Sequence, residues 1–166
     1  TKLDPGRLPL GPDWKEVYRN VMGEMAIGVL LRRQGGKSSA EGWDGDTYIV
    51  CENPRGQVGL AWITTWDSEA EASRFARALE RYHRLKLKQP APPPKGKELS
   101  APRVRLESGD TLLVLERRGL DVALVEGFPA ALCEPLLQAL FASAKVEKTH
   151  APVSPPKEID ATKAKS

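Results

Sequence analysis

Histidine and cysteine are scarce in this chain, with two of each in 166 residues. Cys51 and Cys133 form no CxxC pair and no Cys/His cluster, which excludes the ligand spacing of a structural zinc site. His83 and His150 stand in unrelated segments, and no HExxH sequence is present. No apolar run approaches the roughly 20 residues that a membrane-spanning helix needs. Charge of one sign is also lacking. The formal net charge is only +3, and Arg74, Arg77, Arg81 and Arg84 are interleaved with Glu69, Glu71 and Glu80. That mixture reads as a solvated helix face rather than the basic stripe of a nucleic-acid binder, so no nucleic-acid partner is expected. Nucleophilic catalysis needs a serine or cysteine beside a base. Cys51 lies in an apolar strand-like run and His83 in a charged helix tail, so neither pairing is indicated. The two cysteines, placed in different elements, are expected as separate buried thiols.

Proline, by contrast, is plentiful and clustered. Most of the 14 prolines fall in the first dozen residues, between Gln89 and Pro102, and after His150. The chain therefore divides into an irregular lead-in (1–12), a single folded domain (13–145) and a disordered tail (146–166). A Pro/Lys-rich linker at 85–102 interrupts the domain.

Within the domain, Asp13 followed by Glu16 resembles a capping box. Trp14, Val17, Val21, Met25 and Val29 recur at helical spacing, which predicts an amphipathic helix to about Arg33. Residues 47–52 (TYIVCE) and 57–66 (QVGLAWITTW), joined by Asn53-Pro54-Arg55-Gly56, predict a hairpin. Alternation places Trp62, Thr64 and Trp66 on one face and Gly59, Ala61, Ile63 and Thr65 on the other. Ser68 with Glu71 predicts the capped start of a second helix, whose buried stripe is Ala72, Phe75, Ala76, Leu79 and Tyr82. Strands at 103–107, 111–116 and 121–126 follow. A third helix is predicted over 130–144, with a later start if Pro135 belongs to its first turn. The expected fold is α+β: two layers, with a largely antiparallel sheet built from two ββα units and an additional N-terminal helix.

Four segments stand out together: Gly11-Pro12-Asp13-Trp14, Val21-Met22-Gly23-Glu24-Met25, Gly42-Trp43-Asp44-Gly45-Asp46 and Trp62-Ile63-Thr64-Thr65-Trp66-Asp67. With the helix carrying Phe75-Ala76, this set resembles the C-terminal accessory region of bacterial secreted or lipid-anchored proteins related to zinc metallopeptidases. It is also similar to GWxGD surface proteins of halophilic archaea. The likeness covers residues 11 to about 80. Asp44 stands where that family's motif usually has glycine, and the family's HExxH helix has no counterpart here. The resemblance implies a non-catalytic domain of a secreted or envelope protein, with a protein or peptide partner. The second reading it implies is a domain supporting a zinc metallopeptidase whose catalytic part lies outside this chain.

The candidate site follows from the same residues. Asp44 and Asp46, with Asp67 or Glu24, are hard oxygen donors of the kind calcium prefers. The same aspartates and glycine equally make a tight turn anchored by Trp43, and this architectural reading is preferred, so no metal or cofactor is expected. Glu24, mid-helix, is expected to be buried and hydrogen-bonded to the amides of the 42–46 turn. Trp62 and Trp66 share a face as core, or as an aromatic platform with Trp66 nearer the surface. No catalytic residue is assigned.

Overall fold

A computed structural model describes residues 1–91 and 102–147. Its centre is a six-stranded antiparallel sheet of order β2-β3-β4-β7-β6-β5, where β2 is Lys15–Asn20, β3 Trp43–Glu52, β4 Val58–Trp66, β5 Arg103–Ser108, β6 Thr111–Arg118 and β7 Asp121–Glu126. Three helices accompany it: α1 (Gly23–Leu30), α2 (Glu69–Lys86) and α3 (Ala130–Phe141). A short ribbon pairs β1 (Lys2–Asp4) with β8 (Ala144–Val146).

The predicted hairpin forms around the expected turn, with Glu52 opposite Val58 and Trp43 opposite Trp66, and its first strand starts at Trp43, four residues earlier than expected. Ser68 caps α2 as expected: its hydroxyl accepts from the Glu71 amide at 3.3 Å and donates to the Glu71 carboxylate at 2.7 Å. Two residue classes alternate along β4 and decide the layering. Trp62 and Trp66 face a core that holds Ile27 and Leu31 with Phe75, Ala76 and Leu79 of α2. Ala61 and Ile63 face a second core with Leu136, Leu137 and Leu140 of α3. Helices therefore cover both faces of the sheet, and the two-layer expectation is corrected to three. The physical reason lies in β4, β6 and β7, whose consecutive positions are nearly all buried, leaving no face for water.

The opening of the chain departs most from expectation. In place of a helix from Asp13, residues 15–20 form edge strand β2, paired antiparallel to β3, and α1 starts only at Gly23. KEVYRN carries only Val17 and Tyr18 as strand-favouring residues, but it lies beside β3 as a hydrogen-bonding partner, so pairing wins over a weak helical period. Glu16 caps nothing; it pairs with Arg19 at 2.8 Å, and the hydrogen bond from Arg19 holds its carboxyl below the usual range. Trp14 packs against Phe128 at 4.9 Å between ring centres, on the α3 side. Val21, Met25 and Val29, the expected buried stripe, face solvent, with Met25 84% exposed.

The lead-in is also structural, because β1 supplies buried Leu3, and Leu8 joins the same core. α2 runs through Lys86, so the expected linker begins later than residue 85. The third helix starts at Ala130 and carries Pro135 at its sixth position. It ends at Phe141, and 144–146 form β8 rather than helix end and tail. The remaining linker expectation at 92–101 and the tail from 148 onward lie outside the described residues.

Candidate functional site

The sequence-selected residues converge on one buried carboxylate. β3 carries a bulge at its start: Trp43 lies opposite Trp66 and Gly45 opposite Thr65, leaving Asp44 as the extra residue. A bulge shifts the alternation by one, so Trp43 and Asp46 share a face that a regular strand would deny them. Asp46 is 1% exposed and accepts four hydrogen bonds. The Trp43 indole donates to Oδ1 and the Trp62 indole to Oδ2, each at 3.0 Å. The Met22 amide donates to Oδ2 at 2.8 Å and the Gly23 amide to Oδ1 at 2.9 Å.

Those two amides open α1, which has no side-chain cap of its own. Asp46 therefore caps α1 from a different element, and its negative charge meets the positive end of the helix dipole. Two indoles and two amides match the acceptor capacity of a carboxylate. The cluster is closed: strand β3, strand β4 and the helix entry are bound through a single side chain. Two glycines of the same segment hold the corner. A Cβ on Gly42, at φ +80°, would meet the Glu71 carboxylate, and one on Gly45 would overlap the Thr1 carbonyl.

The other selected residues do not join this cluster. Glu24 is exposed at the start of α1, so the expectation that it is buried against the 42–46 turn is corrected; Asp46 performs that tie instead. The Asp44 side chain turns to the N-terminal segment and accepts from the Thr1 hydroxyl. The Asp67 side chain is exposed, while its backbone amide donates to the Gly42 carbonyl at 2.8 Å. Trp66 is buried, stacks on Phe75 with ring centres 4.5 Å apart and donates its indole hydrogen to Thr64 Oγ1 at 2.9 Å. Trp62 meets Phe75 edge-on. Neither indole forms a surface platform. Among the described residues, no group of three His, Cys, Asp or Glu side chains is arranged to hold a metal ion. No helix there is long and apolar enough to cross a membrane.

Both cysteines are free and buried. Burial pushes the Cys51 thiol up to about 11 and raises that of Cys133, which disfavours the reactive thiolate. His83 stands in the charged last turn of α2, beside Arg84 and Lys86, as expected, but its side chain is buried there. Burial lowers its pKa to about 4 against the opposing pull of Glu126, and its Nδ1 has no hydrogen-bond partner among the described residues.

A second polar region was not selected from the sequence. The loop at 34–39, which includes a 3-10 turn over Gly36–Ser39, leans over α2 and leaves a cleft of about 800 Å³. Arg74, Arg77 and Arg81 line it together with Gln34 and Ser73. The signal was present in the i, i+3, i+7 spacing of the arginines, which shares a helix face. The interleaved glutamates masked it.

Comparison with curated proteins and with solved structures gives no match for the chain. A family model does match, over residues 10–136, a span that includes β2 through β7, the Asp46 cluster, the cleft and the first half of α3. The chain belongs to the DUF8575 family, described as a domain of unknown function.

Proposed function

We propose that this chain is a non-catalytic accessory domain that binds a protein or peptide partner through the outer edge of its sheet. The observation that carries the reading is the apolar surface left on β2 and α1. β2 stands at the end of the strand order, with one side of its backbone open. Val17, Tyr18, Val21, Met25 and Val29 are exposed along it and the following helix. An extended apolar segment pairing with the β2 backbone would cover such an edge, the main chain supplying affinity and the side-chain row selectivity. The bulge between Glu16 and Tyr18, and the charges of Lys15, Glu16 and Arg19, blunt indiscriminate pairing. The Asp46 carboxylate and the Trp43 and Trp62 indoles are meanwhile saturated inside the scaffold.

The motif resemblance of residues 11–80 supports a secreted or envelope setting for this binding role. It also supports the second reading, a domain that braces a zinc metallopeptidase, and a HExxH helix encoded in the same reading frame would favour that second reading. The test uses a partner identified by crosslinking in native extract, then purified. Calorimetry should show tight binding to the wild-type domain and at least tenfold weaker binding to Met25→Glu/Val29→Glu, with unchanged melting of the variant. Equal affinity for both proteins removes the edge as the interface. Turnover of generic ester or peptide substrates by the purified domain, abolished with its unfolding, overturns the non-catalytic reading.

A further inference from the structure

The charges of β2 follow a two-fold pattern, and the bulge in that strand creates it. By strict alternation Glu16 and Arg19 would lie on opposite faces of the sheet. The bulge leaves Val17 as an extra residue between Glu16 and Tyr18, so Glu16 stands opposite Cys51 and Arg19 opposite Ile49. Both of those β3 residues belong to the core beneath α3, and cross-strand neighbours share a face. Glu16 and Arg19 therefore both project on the α3 side, where they pair at 2.8 Å. The Gly6 carbonyl and Asp4 also hold the Arg19 guanidinium there, so its position is set before any partner arrives. Tyr18 projects to the other side and meets Tyr48, with ring centres 5.9 Å apart. On the α3 face the strand thus reads acid then base, evenly placed about the midpoint between Val17 and Tyr18.

We propose that two copies of this chain pair antiparallel through β2, about a two-fold axis at that midpoint, and join their sheets into one. The proposal rests on the reading of the β2 edge as an interface and names a second copy as its occupant. In this register Glu16 of each copy stands opposite Arg19 of the other, and Lys15 opposite Asn20. Each carboxylate gains a second guanidinium, and no like charges meet directly. Val17 and Tyr18 meet their counterparts across the axis, covering side chains that stand 53% and 50% exposed. Among the described residues, no backbone hydrogen bond outside the strand ladder engages residues 15–20. The outer amides and carbonyls of β2 are thereby left for another strand. The opposite edge, β5, carries no exposed large apolar side chain. The charge row selects a second copy over an arbitrary strand, because it matches only a segment of reversed spacing, and β2 is its own reverse.

The experiment is sedimentation velocity of the whole chain over a concentration series. Wild type should show a dimer whose fraction rises with concentration. Glu16→Arg surrounds the axis with cations and Arg19→Glu surrounds it with carboxylates, so each variant alone should self-associate about tenfold more weakly. An equimolar mixture of the two should regain wild-type association, since one copy then supplies the cations and the other the carboxylates. Val17→Lys leaves the Glu16–Arg19 pair in place, which keeps the test open if a charge reversal disturbs folding, and should also weaken the dimer. A chain that stays monomeric at every concentration overturns the proposal. So does a dimer indifferent to all three variants, a mixture that fails to recover, or a dimer broken only by Met25→Glu/Val29→Glu. A monomer that still binds its crosslinked partner through Met25 and Val29 defeats this inference alone and leaves the edge-binding function standing.

Discussion

The chain contains two polar clusters of opposite character, and the contrast between them separates scaffold from open surface. At Asp46, four donors meet one carboxylate, all four bonds lie between 2.8 and 3.0 Å, and water is excluded. Across α2, Arg74, Arg77, Arg81, Ser73 and Gln34 line an open cleft, where Arg74 holds the loop through the Ser38 carbonyl and lies 3.5 Å from Glu41. Buried polar groups in folded proteins are normally paired. A closed cluster whose donors and acceptors balance is architecture, whereas polar groups along an open cleft can meet water and carry no such constraint. Residue type alone does not make this distinction, since aspartate and tryptophan look chemically rich while serine and glutamine look ordinary.

The sharpest way to break the comparison is Asp46→Ala. It strands two indole and two amide donors in the core and uncaps α1. By analogy with removing one partner of a buried charged network, the expected loss is about 3–5 kcal/mol, read as a lower denaturation midpoint in urea. Asp46→Asn should recover only part of it, because an amide presents one acceptor oxygen where the carboxylate has two. A loss below about 1 kcal/mol would show that the cluster is not the tie between helix and sheet.

His83 gives the next largest effect, through pH. Its folded pKa is depressed to about 4 from an ordinary 6.5. Between those values the unfolded chain binds the proton and the folded one does not. Stability is therefore fully present above about pH 6.5 and falls as pH drops toward 4, by roughly 3 kcal/mol in all. Urea melts of wild type and His83→Leu at pH 7 and 4.5 measure it, and the variant should lose less on acidification. An equal acid loss in both would assign the effect to other groups.

Ser68→Ala removes the cap of α2 and should cost about 1 kcal/mol, detectable as a small drop in melting temperature. At the bottom of the scale, Arg81→Met should change stability by less than about 0.5 kcal/mol. That small value sharpens the contrast: a donor of the cleft is dispensable to the fold, while the acceptor of the cluster is not.

Much of the fold could be read from residues near one another in the chain. The 43–66 hairpin followed from β-branched and aromatic runs around a Pro/Gly turn, and the start of α2 from Ser68 and Glu71. The strands at 103–126 followed from alternation and turn glycines. Around the candidate site, the Gly42–Asp46 segment was recognisable as a corner, but the carboxylate that ties it was not. Glu24 looked suitable because a regular helix would bury it. The bulge at Asp44, invisible to a strict two-residue period, brings Asp46 to the indoles instead. The opening residues misled for a related reason. Val17, Val21, Met25 and Val29 satisfy helical spacing, yet Lys15–Asn20 gain more by pairing with β3, and the later three apolar residues are left on the outer side.

Local spacing, turn chemistry and capping determined which segments of this protein are strands and helices, because those preferences act over a few residues. Only the tertiary structure decided that helices cover both faces, that Asp46 rather than Glu24 caps α1, and that Ser73 and three arginines share a cleft. Each of these depends on groups far apart in the chain becoming mutual neighbours. The free energy of burying a charge or hydroxyl is set by those neighbours and not by the residue itself.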